Sequence, residues 1–177
     1  NYGLDQDIQI PDIPTANGSG KERVDWVSYV LREIGYKTPA DFHQWVLKNT
    51  SCKQTQVLIY ANQEGRPYAM PFGADMDSTK YFLEGAFLYH YYSPGYPIIP
   101  ATIAHEMLHL YGAWDLYKTY AQTEDRAETA AKHFPKDIMR KVDSFKELEI
   151  SKLTAWLIGW NEKPEDWYEW FRPSDFK

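Results

Sequence analysis

The sequence predicts an α+β protein. Three observations carry that expectation. Helical periodicity runs from Lys21 to about Ile34 and restarts at Thr38, strand candidates occupy much of the stretch from Gln54 to Tyr92, and helix signals return after the break at SPGYP. The chain has 177 residues, enough for one domain with a substantial core. Hydrophobic residues make up 44% and charged residues 25%, which is a globular rather than a disordered composition.

The elements follow in order. Residues 1–20, NYGLDQDIQIPDIPTANGSG, are rich in Gly, Pro and Asp without periodicity and read as an extended arm or linker. The first helix spans Lys21 to about Ile34, with Val24, Val27, Val30, Leu31 and Ile34 on one face and Gly35 as its stop. A second begins at TPAD, where Thr38 caps, Pro39 takes the first position and Asp41 completes a box-like start; Phe42, Trp45 and Val46 form its buried stripe. QTQVLIYA, from Gln54 to Ala61, is a strand, and NQEG is the turn after it. RPYAMPF is a second strand, confined to a sheet edge because Pro67 and Pro71 cannot donate to an inner ladder. Tyr81 to Tyr92 forms a third, with Gly85 marking a bulge. Beyond Asp115, Thr123 caps a helix running to about Phe134, its first turn acidic as the helix dipole favours. FPKDIM is a turn, and a last helix spans roughly Glu149 to Trp160 with Ile150, Leu153 and Leu157 inward.

Composition excludes several classes. A net charge of −6, with no run of Lys and Arg, argues against a nucleic-acid partner. The single cysteine, Cys52, rules out an internal disulfide framework and a cysteine-based zinc site, and is expected to be a buried or half-buried thiol. No apolar run approaches the roughly 18 residues of a membrane span. Aromatics reach 16%, with 14 Tyr and 7 Trp, which suits either a ring-rich core or a groove lined by Tyr and Trp. The start at Asn1, without Met, suggests a processed or trimmed form.

One stretch carries chemistry: AHEMLHLYGAWDLY, from Ala104 to Tyr117. Residues four apart on a helix lie nearly above one another, so His105 and His109 project the same way and can grip one cation. Glu106 is rotated aside, within reach of a metal-bound water without being a ligand, which is the logic of H-E-x-x-H. TIAHEMLHLY is uncharged outside these three residues, unlike KERVDWVSYVLREI, so the helix is expected to be buried on almost every side. A pair of core histidines satisfied by hydrogen bonds is the bland alternative. Zinc needs a third protein ligand. Gly112 can end the helix in a left-handed conformation and turn the chain back, and Asp115 follows three residues later, giving H-E-x-x-H-x-x-G-x-x-D. Glu124 and Glu128, on the helix after Thr123, are rival third ligands of the gluzincin kind, or a solvated acidic face. His43, His90 and His133 carry no comparable signal.

The H-E-x-x-H-x-x-G-x-x-D pattern resembles the metzincin clan of zinc peptidases, in particular the snapalysin-like branch, whose third ligand is an Asp. FPKDIMRK resembles the clan's methionine turn, with Met139 as the matching residue and a hydrophobic floor under the ligands as its implied role. The resemblance covers Thr102 to Asp115 and Ile138–Met139; elsewhere it extends only to the order of elements, and the Tyr that follows the methionine in some branches is absent. It implies a small, twisted, mostly parallel or mixed sheet packed with helices, an active-site helix and a mainly helical C-terminal subdomain. The implied layout is a single catalytic domain over 1–177, with an arm at 1–20, an N-terminal subdomain at 21–112 and a C-terminal subdomain at 113–177.

The resulting expectation is a zinc endopeptidase acting on protein or peptide, with zinc as cofactor, His105, His109 and Asp115 as ligands and Glu106 as general base. Substrate would line up beside the edge strand at RPYAMPF or the following GADMDSTKYF, and Tyr111 or Tyr117 could assist the oxyanion. The rival classes are a non-catalytic peptide- or carbohydrate-binding protein with a structural or vestigial zinc site, and a zinc hydrolase of non-peptide amides. The peptidase reading and the start at Asn1 favour a secreted or cell-envelope location. Nothing in the sequence fixes an oligomeric state.

Overall fold

The computed structural model describes residues 11–71, 83–142, 147–161 and 163–172. These residues form a mixed α+β fold: helices α1 (Gly20–Glu33) and α2 (Pro39–Asn49), strands β1 (Val57–Glu64), β2 (Tyr68–Met70), β3 (Gly85–Ser93) and β4 (Tyr96–Pro97), then helices α3 (Pro100–Leu110), α4 (Glu124–His133) and α5 (Lys152–Leu157), and a short 3-10 helix at Tyr168–Phe171. The small open sheet has the order β1-β3-β2, with β4 pairing to β3 as a hairpin. β1 runs parallel to β3; β2 and β4 run antiparallel to it.

Both faces of β3 are covered, which explains its unbroken apolar start, GAFLY. Phe87 and Tyr89 pack with Trp26, Val27 and Leu31 of α1 on one face, and Tyr68 of β2 stacks on Phe87 at 4.8 Å. Ala86 and Leu88 point the other way, onto Leu110 and Ile103 of α3. Helix α3 turns a further face to a second core, where Ala101 and Leu108 meet Leu116, Ala130, Ile138, Met139, Leu153, Leu157, Tyr168 and Phe171. Apolar neighbours on two sides are why α3 carries no charged residue on an outer stripe. Each Leu so enclosed contributes about 1.5–3 kcal/mol of apolar burial.

Local signals set the helix ends. Ser19 and Glu22 make a reciprocal capping box on α1, Thr38 accepts from the Asp41 N–H at α2, and Thr123 caps α4. Both cores are rich in rings, and in the second Phe134, Trp156, Trp167, Tyr168 and Phe171 form a chain of ring contacts.

Several expectations need correction. The opening segment is no free arm where it is described: the Pro11 carbonyl accepts from the Trp26 indole at 3.0 Å, and Gly20 already belongs to α1. NQEG is not a turn, because β1 continues to Glu64 through a register shift between Ala61 and Glu64. Gly85 marks no bulge; it pairs in register with Val57 and Met70, and its role is steric, since a Cβ there would sit 3.0 Å from the Val57 carbonyl oxygen. Residues 81 and 82, which open the expected third strand, and the candidate edge segment 73–82 lie outside the described residues. Leu83, which follows them, is buried in the first core.

The stripe of α2 is only half-buried. The last helix is shorter than its pattern, because Ser151 caps it and Gly159 ends it, and Ile150 ahead of the cap is exposed. Cys52 is exposed, lying in the loop after α2 and outside both cores.

Candidate metal centre

Helix α3 supplies the first two side chains. Pro100 opens it at a position that needs no donor, and it ends in a Schellman motif: the Gly112 N–H donates to the His109 carbonyl at 3.0 Å and the Ala113 N–H to the Leu108 carbonyl at 3.1 Å. Gly112 has φ 96°, the left-handed region the motif requires. The reversed chain then brings Asp115 back over the helix, and the Leu116 N–H anchors it to the Met139 carbonyl at 2.9 Å.

His105, His109 and Asp115 converge. The two Nε2 atoms are 3.2 Å apart, and Asp115 Oδ1 lies 3.2 Å from that of His105 and 3.3 Å from that of His109. The other nitrogen of each ring faces a backbone carbonyl: His105 Nδ1 donates to Ile138 at 3.0 Å and His109 Nδ1 to Ala113 at 2.9 Å. A carbonyl only accepts, so each Nδ1 carries the proton, and in the neutral ring each Nε2 presents a bare lone pair. Asp115 Oδ1 is buried without a hydrogen-bond donor. Three lone-pair atoms facing one point repel one another unless a cation or added protons sit between them.

The donor set fits zinc. Nitrogen and oxygen ligands bind it at about 2.0–2.1 Å in a tetrahedron, which puts ligand atoms about 3.3–3.4 Å apart, close to the separations here. Protons are the competitor. Burial lowers the pKa of His109, but Asp115, the Ala113 carbonyl and the Glu106 charge together outweigh it and the net shift is upward. Burial likewise opposes ionisation of Asp115, yet the two imidazoles hold its carboxyl well below the usual range.

Glu106 is 8% exposed and His105 5%. Burial pushes the Glu106 carboxyl up, partly offset by both histidines and by the charge of Arg66, an exposed residue just ahead of β2. Tyr117 lies nearly parallel to the His105 ring, at 6.3 Å between centroids and 19° between planes; burial and the Asp115 charge raise its phenol. Tyr111, by contrast, is exposed at the end of α3. Met139 is fully enclosed with Leu108 and Leu116.

The remaining candidates stand elsewhere. Glu124 pairs with Lys118, Glu128 is exposed on α4, and neither belongs to the convergent group. His43 bonds Thr55, His90 bonds the Tyr60 hydroxyl, and His133 packs on Trp167. Sequence reasoning missed the carbonyls of Ile138 and Ala113, which fix both rings, because a backbone acceptor leaves no mark on residue type. It also passed over Arg66 and Asp137. No protein-family model, curated protein or solved structure matches the chain.

Proposed function

We propose that the protein is a zinc-dependent metallopeptidase of metzincin-like type, with His105, His109 and Asp115 holding the ion and Glu106 as general base. The observation that carries this reading is the convergence of the two Nε2 atoms and the donorless Asp115 Oδ1, with a buried carboxylate directly after the first histidine. The turn at Gly112 and the enclosed Met139 support the metzincin likeness. When bound, zinc would lower the pKa of a coordinated water toward neutrality and polarise the scissile carbonyl. Glu106 is poorly solvated, which makes its carboxylate the better proton acceptor. It takes a proton at Oε and delivers it to the leaving amine.

β2 ends the sheet among the described residues and packs beside α3, so an extended peptide would align along its outer side and gain main-chain hydrogen bonds. A secreted or cell-envelope setting suits such an enzyme. Elemental analysis and a peptide-library digest with and without chelator test the proposal. The expected result is about one zinc per chain and chelator-sensitive cleavage, both lost in His109→Ala. Zinc without cleavage under any condition would favour a structural ion in a binding protein.

A further inference from the structure

Asp137 is a carboxylate with no exposed surface, and it lies outside the convergent group. Three donors satisfy it. Oδ1 accepts the Met139 N–H at 2.6 Å; Oδ2 accepts the Ser151 N–H at 2.9 Å and the Thr154 hydroxyl at 2.7 Å. Around it the backbone is tied again: the Ile138 N–H donates to the Glu149 carbonyl at 2.9 Å, and the Arg140 N–H to the Asp137 carbonyl at 3.0 Å. One side chain thus fastens the turn at residues 137–139 to the start of α5. Between its two anchored ends sits Ile138, whose carbonyl receives His105 Nδ1–H.

A buried carboxylate is costly to keep, and the turn already has backbone hydrogen bonds. The cost is intelligible if the turn must hold one carbonyl at one angle. We infer that Asp137 is a positioning residue for the metal centre: by clamping both sides of Ile138 it aims that carbonyl at His105, fixing the ring as the Nδ1–H tautomer with Nε2 bare. The zinc consequence rests on the proposed function; the tautomer consequence does not. His109 provides an internal control, because its Nδ1–H is held by the Ala113 carbonyl and not by the turn at residues 137–139.

The test uses Asp137→Asn and Thr154→Val in the full chain, the second removing a single donor and leaving the carboxylate in place. Nitrogen-15 correlation spectra of the histidine rings, in the metal-free folded protein at alkaline pH, read the tautomers directly. The expected result is a loss of the pure Nδ1–H form at His105, larger in Asp137→Asn than in Thr154→Val, with His109 unchanged. Zinc competition against a chromogenic chelator should show affinity weakened by about 10–100-fold in Asp137→Asn, as for other groups that orient metal ligands. Should Asp137→Asn fail to fold, Thr154→Val decides alone. Unchanged His105 spectra in a folded variant, or equal changes at both rings, would overturn the inference. A parent protein that binds no zinc but shows the selective tautomer change would overturn the proposed function and leave the positioning role standing.

Discussion

Helices α1 and α3 close with the same backbone device and differ in nearly everything before it. Gly35 has φ 101° and Gly112 φ 96°, and each is followed by the Schellman pair of hydrogen bonds. α1 is an ordinary surface helix: a capping box at Ser19, a Lys21–Asp25 pair on its outer side, and one apolar face on the sheet. α3 has no side-chain cap, no first-turn acid and apolar neighbours on two faces, yet it buries His105 and Glu106 and half-buries His109. In α1 every charged residue but Arg23 sits where water solvates it. In α3 the two histidines and the glutamate sit where solvation is poor, which is the arrangement expected when a helix serves a site rather than its own stability.

The largest break of this comparison is Glu106→Gln. Peptide turnover should fall by about 10²–10⁴-fold with zinc retained, measured by kcat and metal content together. Metal-free Glu106→Gln should melt no lower than the parent at neutral pH. The folded pKa of Glu106 is raised above 4.5, so its contribution to stability is greatest below that value and is lost as pH rises through the folded pKa. Glutamine does not titrate, and the difference between the two proteins should close on acidification.

Next in size is the pH dependence of zinc binding. His109 has its pKa raised above 6.5, so below that raised value zinc must expel a proton, and affinity should fall by about tenfold per pH unit. Without metal the sign reverses. The protonated His109 contributes stability that is fully present below 6.5 and is lost as pH rises through its folded pKa, while ionised Asp115 contributes above 3.8 and loses that contribution as pH falls toward its depressed value. Melting temperature in chelator, against pH, should therefore favour the window between 3.8 and 6.5, and added zinc should stabilise increasingly above it.

The smallest effect is the sharpest. Gly35→Ala and Gly112→Ala should each cost about 1–2 kcal/mol, since no close clash adds to the strain: a Cβ at Gly112 would meet only the Leu157 carbonyl oxygen, at 3.5 Å, and at Gly35 nothing within 4 Å. Only Gly112→Ala should also weaken zinc binding, because only there does the turn carry a side chain, Asp115, to the proposed metal centre. Equal zinc affinity in the two variants would separate the turn from the site.

The same contrast explains what the sequence disclosed. Periodicity, caps and glycine stops are local, so α1 and α4 lay within a residue or two of their expected bounds and α2 began where its cap was read. His105, His109 and Asp115 were legible because helix pitch and one glycine bring them together. Sheet detail depended on partners: NQEG reads as a turn until β3 is there to extend β1, and Gly85 reads as a bulge until Val57 is seen to crowd it. The clamp at Asp137 joins residues 14 and 17 positions apart, a link no local pattern encodes.

The Pro14 carbonyl accepts from two phenols at once, Tyr68 at 2.6 Å and Tyr89 at 3.1 Å, both inside the first core. A shortened chain beginning at Thr15 would remove the acceptor that the two hydroxyls share, at about 1–3 kcal/mol for a buried donor left unmet. The stretch that composition marks as an arm or linker thus works as a keystone, and its loss would loosen the strands on which the proposed substrate path depends.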